Sequence, residues 1–129
     1  MDINELIKES HETAKEKGWH EKDISFGETI ALIHSELSEA LEEHRNGKMI
    51  HETYLKCKDM GCSGNKDETC TSSIPCPSAK PCGIPTELAD TLIRIFDFCG
   101  RYNIDLEKAL QIKMQYNKTR SYRHGGKVV

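Results

Sequence analysis

The chain has 129 residues, enough for one domain with one modest core. Hydrophobic residues make up 36% and charged residues 30%, and 18 basic against 21 acidic side chains leave a net charge of −3. A basic field suited to a nucleic-acid polymer is therefore excluded, and so is a membrane span, because the longest apolar run, Ile30-Ala31-Leu32-Ile33, is far short of a bilayer crossing.

The first element is a helix predicted over residues 3–17, with Ile3, Leu6, Ile7 and Ala14 at helical spacing and Gly18 to end it. Residues 19–27 read as a connector. The clearest helix is predicted over 28–46, with Ile30, Ile33, Leu37, Ala40 and Leu41 on one face and Gly47 after it. Residues 48–83 hold most of the cysteines and prolines and read as an irregular insertion. Pro85-Thr86 opens a third helix, 86–102, with Leu88, Leu92, Ile95 and Cys99 as its apolar face and Cys99 as a core residue. Asp105 is placed to N-cap a fourth helix reaching about Thr119, followed by a basic, glycine-containing tail. No strand-like alternation is visible. The expected fold class is all-α, a four-helix bundle with a cysteine-rich insertion between helices two and three, in a single domain over 1–129.

Helices two and three share one local pattern. Glu36-Leu37-Ser38-Glu39 and Glu87-Leu88-Ala89-Asp90 both read acid, leucine, small residue, acid. At about 100° per residue, the two acids of each pair lie about 100° and 160° around the helix from their leucine. Both pairs thus sit at one edge of an apolar stripe, and the edges meet if the stripes pack together. Four carboxylates in one place repel. A hard divalent cation such as Mg²⁺ neutralises them and keeps waters for substrate phosphates. Glu43 lies on the same edge, one turn on, as a further ligand or a positioning group. A single acidic pair at i, i+3 is ordinary solvated helix surface; the repetition on two helices is what points to a metal. A ferritin-like site is set aside because none of the six histidines follows a Glu by three residues.

The fourth helix carries Lys113 and Asn117 on one face, and Arg120, Tyr122, Arg123, His124, Gly125, Gly126 and Lys127 follow. Arginine and lysine match phosphate charge, and glycines let backbone N–H groups approach an anion.

Taken together, Glu36-x-x-Glu39, Glu87-x-x-Asp90 and Lys113-x-x-x-Asn117, with Gly83-Ile-Pro-Thr-Glu-Leu-Ala-Asp and Arg123-His-Gly-Gly-Lys127 around them, resemble the all-α nucleoside triphosphate pyrophosphohydrolase superfamily, the MazG-like and dCTPase/dUTPase-like enzymes. The resemblance covers residues 28–47 and 83–127. It implies a cytoplasmic housekeeping hydrolase that cleaves a nucleoside triphosphate between the α and β phosphates, releasing a monophosphate and pyrophosphate. It makes Glu36, Glu39, Glu87 and Asp90 the Mg²⁺ ligands and catalytic acids. Lys113 and Asn117, with Arg120 and Arg123, become the substrate contacts. The connection between the acidic pairs is longer than is usual for compact members.

That extra length holds Cys57, Cys62, Cys70, Cys76 and Cys82. Their density suggests a structural Zn²⁺ or an iron–sulfur cluster, but no Cys-x-x-Cys knuckle is present, and a loop of free thiols is the preferred reading. Trp19, in the first connector, is either a base-stacking platform or a packing anchor, and the latter is the commoner fate of a lone tryptophan. His34 reads as a helix-interface residue; Phe26 and Tyr54 carry no usable signal. The acidic N-terminal residues do not read as a signal peptide, which favours a cytoplasmic setting for the thiols. The lean core favours burial between subunits, so a homodimer or homotetramer is expected. The competing reading is a non-catalytic nucleotide- or partner-binding helical module with a metal-binding cysteine loop.

Overall fold

The structure, a computed structural model, describes residues 1–57 and 79–122. The chain is mostly helical. Its four helices are α1 (Ile3–Glu16), α2 (Phe26–Arg45), α3 (Ile84–Tyr102) and α4 (Leu106–Thr119). Between α2 and α3 in the sequence, β1 (Tyr54–Cys57) and β2 (Ala79–Cys82) pair antiparallel as a two-stranded ribbon.

Local side-chain chemistry sets the helix starts. The Asp2 carboxylate accepts the Glu5 N–H at 2.8 Å, the Ser25 hydroxyl accepts the Glu28 N–H at 3.1 Å, and the Asp105 carboxylate accepts the Lys108 N–H at 3.1 Å. Each such cap contributes about 1 kcal/mol. Helix α2 therefore begins at Phe26, two residues before the apolar periodicity suggests, because Ser25-x-x-Glu28 is a capping sequence. Gly47, at φ 85°, stands just beyond the α2 C-cap in the left-handed region that ends a helix.

The ribbon corrects the expectation that residues 48–83 are irregular throughout. Its register pairs Tyr54 with Cys82, Leu55 with Pro81, Lys56 with Lys80 and Cys57 with Ala79. Alternation puts Tyr54, Lys56, Lys80 and Cys82 on one face. Pro81 is tolerated because each strand of a two-stranded ribbon has an unpaired edge. Strands of four residues, paired across a long excursion of chain, leave no local periodic signal.

The described residues cluster in two compact units, one of Met1–Glu21 with the chain from Phe96 onward and one of Lys22–Ile95. In the first, Ala14, Phe96 and Cys99 are buried, and Asn4 Nδ2 donates to Glu107 Oε2 at 2.9 Å, tying α1 to α4. His11 rests directly on Gly100, where a Cβ would come within 2.6 Å of the histidine Cβ.

In the second unit the buried residues are Glu36, Ala40, Cys57, Cys82, Gly83, Glu87 and Thr91. Leu37, Leu41, Leu88 and Leu92 are exposed, as is His34. Among the described residues the two leucine stripes therefore do not pack together, the condition under which the acidic edges would meet, and His34 is exposed rather than held at a helix interface. Both helices instead bury a line about 60–120° around from their leucines. No helix among the described residues is long and apolar enough to cross a membrane.

Gly83 joins the ribbon to α3 at φ 120°, buried, where a Cβ would collide with the Glu52 carbonyl oxygen. Gly83→Ala is expected to lower stability by roughly 2 kcal/mol or more, read as a drop in the urea midpoint.

Candidate functional site

Helix α2 supplies Glu36 and Glu39, and α3 supplies Glu87, all within the second unit. One carboxylate oxygen from each lies within 4.8 Å of the other two. Glu36 is 8% exposed and Glu87 only 5%, while Glu39 is exposed, so the group opens to solvent on the Glu39 side.

The groups around this centre treat its members differently. Glu36 accepts the Arg94 Nε–H at 2.6 Å. Burial works against its charge, but the Arg94 hydrogen bond, a bond to Glu39 and the Arg94 and Lys80 charges hold its carboxyl below the usual value. Glu87 has no such partner. Its Oε2 is sealed from solvent with no hydrogen-bond partner. Burial first, then the neighbouring Glu39 carboxylate and the Asp90 charge, push its carboxyl up to about 7. Burial and the Glu36 charge raise Asp90 as well. Asp90 stands beside the group electrically, but its oxygens are not among those gathered within 4.8 Å.

Glu43 is held from the ribbon. The Tyr54 hydroxyl sits 2.8 and 2.9 Å from its two carboxylate oxygens and donates to them. Burial and this carboxylate raise the Tyr54 phenol far above its ordinary range, so it remains a donor. Glu39, Glu43 and Glu87 form one wall of a cleft of about 190 Å³, and Tyr54, Lys56, Lys80 and Cys82 from one face of the ribbon form the other. Tyr54, Lys56, Lys80 and Arg94 are contributors that sequence reasoning missed. Arg94 was legible by phase, seven residues after Glu87 and so on its face; the ribbon residues were not, because their position depends on long-range strand pairing.

The donor set suits a hard divalent cation. It is all carboxylate, open on one side, and includes a buried oxygen that no group among the described residues satisfies.

The remaining predicted residues lie elsewhere. Lys113, Asn117 and Arg120 are exposed on or just after α4 in the first unit, with Lys113 and Arg120 stacked near the Tyr116 ring at 5.2 and 5.6 Å. Trp19, also in the first unit, is half exposed. Arg123, Cys62, Cys70 and Cys76 fall outside the described residues. Cys57 and Cys82 are buried thiols on opposite faces of the ribbon.

A second cluster that the sequence did not suggest lies in the first unit. His11 Nδ1 and His20 Nε2 both meet Asp97 Oδ1, at 2.9 and 2.7 Å, and Arg101 Nη1 approaches His20 Nδ1 at 3.1 Å. Arginine only donates, so His20 accepts at Nδ1 and donates from Nε2 to Asp97. A metal-held histidine needs its outer nitrogen as a donor, so this cluster reads as a polar lock between α1, the connector and α3.

Comparison with family models, with curated proteins and with solved structures returned no match.

Glu87 imposes a pH signature on the metal-free chain. The folded state binds its proton more tightly than the unfolded state does. The stability it contributes is therefore fully present below the ordinary value of 4.5 and is lost as pH rises through about 7. Urea midpoints in metal-free buffer should fall across that window, and Glu87→Gln should flatten the fall.

Proposed function

We propose that this chain is a Mg²⁺-dependent nucleoside triphosphate pyrophosphohydrolase, a MazG-like four-helix bundle of the cytoplasm that releases a monophosphate and pyrophosphate. The observation that carries the reading is Glu87, a buried carboxylate with an unpartnered oxygen, gathered with Glu36 and Glu39. A buried carboxyl left in that state costs several kcal/mol unless it is protonated or meets a cation.

In this reading Glu36, Glu39 and Glu87 hold the ion, with Asp90 adjoining. When bound, the metal supplies an activated water and shields phosphate charge. Arg94 fixes the Glu36 carboxylate in one orientation, and Tyr54 does the same for Glu43, to which we assign the orienting of the attacking water. Exposed Glu39 stands on the side that substrate approaches. The motif resemblance assigns Lys113, Asn117, Arg120 and Arg123 to phosphate or sugar oxygens.

A panel of canonical and modified nucleoside triphosphates with Mg²⁺ is expected to yield pyrophosphate, and Glu39→Gln to lower the rate by about 100-fold. Absence of pyrophosphate from every substrate, with Glu39→Gln binding nucleotide like the wild-type chain, sinks the reading and leaves a non-catalytic binding module.

The leucine face belongs to the same proposal. Leu37, Leu41, Leu88 and Leu92 stand 47–51% exposed on two neighbouring helices of one unit. Covering them with a second copy of the chain makes the core that a short helical chain otherwise lacks. Light scattering should give a dimer or tetramer, and Leu88→Asp with Leu92→Asp should give a monomer; a monomeric wild-type chain would contradict this assembly.

A further inference from the structure

We propose that Lys56 and Lys80, directly opposite each other on the ribbon, grip the polyphosphate tail of a nucleotide whose metal the Glu36, Glu39 and Glu87 carboxylates hold. This assignment rests on the hydrolase reading above for the identity of the ligand, and it names residues that no motif in the chain suggested.

Three observations converge on it. Lys56 and Lys80 are register partners, so their side chains leave the same face of the ribbon, and both line the cleft that Glu39 and Glu87 close from the other side. Like charges directly across an antiparallel pair repel, so two lysines at one rung need a counter-charge between or in front of them. The carboxylates around the cleft act on Lys80 from a distance. Burial raises the Glu87 and Asp90 carboxyls and opposes the charge of Glu36, and the Lys80 charge works the other way on all three, yet among the described residues it makes no contact ion pair with any of them. Its ammonium stands off from the acids it influences.

The separation of charge suits a polyphosphate. A chain of phosphates carries oxygens that bridge a carboxylate-held divalent cation and further oxygens that extend beyond it. Ammonium groups on the facing wall bind those outer oxygens as flexible point charges with three donors each. The Tyr54 hydroxyl, on the same ribbon face, is already committed to Glu43, which leaves the two lysines as the cationic part of that wall.

The test combines a binding and a turnover measurement on the full chain. Mg²⁺-tripolyphosphate is titrated calorimetrically into the wild-type chain, Lys80→Met, Lys56→Met and the double variant. Methionine keeps the apolar stem and removes the charge. Lys15→Met, which removes the same charge from α1, is the control. Each cleft variant should weaken binding by about tenfold and the pair by more, Lys80→Arg should recover most of the loss, and the control should bind like wild type. With a nucleoside triphosphate substrate, the same variants should raise KM more than they lower kcat. Wild-type turnover with unchanged affinity and KM in both lysine variants overturns the inference and leaves the hydrolase reading standing. Lysine-dependent tripolyphosphate binding without pyrophosphate release from any nucleotide supports the lysine site and overturns the hydrolase. A wild-type chain that binds no tripolyphosphate overturns both.

Discussion

Everything in the second unit is arranged around the burial of two carboxylates, Glu36 and Glu87, beside a third, Glu39. Removing carboxylates from water and setting them near one another is among the costlier things a small fold can do. The chain meets the cost unevenly. Arg94 neutralises Glu36 with a hydrogen bond and a charge; Tyr54 secures Glu43 at the margin; Lys80 adds a cation at a distance. Among the described residues, Glu87 alone is left with a buried side-chain oxygen that no other group serves. An uneven arrangement of this kind is wasteful as architecture, and in the function we propose the free energy left unclaimed goes to the cation.

The same constraint explains the orientation of the helices. Burying Glu36 and Ala40 of α2, and Glu87 and Thr91 of α3 with Arg94 half-buried beside them, turns both helices about 60–120° away from the packing their leucines suggest. Leu37, Leu41, Leu88 and Leu92 are then left outward. The polar interior and the apolar exterior of this unit are two consequences of one rotation. The ribbon covers the polar side, and its own alternation sends Lys56, Lys80 and Tyr54 towards the acids.

What could be read in advance follows the range of the interactions involved. Helix positions were legible because caps and apolar spacing act within a few residues, and the starts of α2 and α3 were each displaced by two residues, the former by the Ser25 cap. The acidic residues were legible as a repeated local pattern, and the resemblance to pyrophosphohydrolases rests on those same short motifs. Arg94 lies at the right helical phase, seven residues after Glu87, but arginine at that spacing has no signal of its own to set it apart. Tyr54 and the two lysines could not be found, since four-residue strands containing a proline carry no periodicity and their pairing spans the whole cysteine-rich segment. The His11–His20–Asp97 lock, likewise, joins residues more than seventy positions apart.

By itself, then, the sequence determined the mostly helical character of this chain, its helix boundaries and the phase of its acids on each helix, because these depend on backbone hydrogen bonds and side-chain spacing within a turn or two. Only the tertiary structure decided which edge of α2 meets α3, that Asp90 stands beside the carboxylate group rather than within it, and that a lysine-bearing ribbon closes the cleft. Those outcomes depend on burial and charge across long stretches of chain, where one part-buried arginine–glutamate pair can outweigh the pull of a leucine stripe.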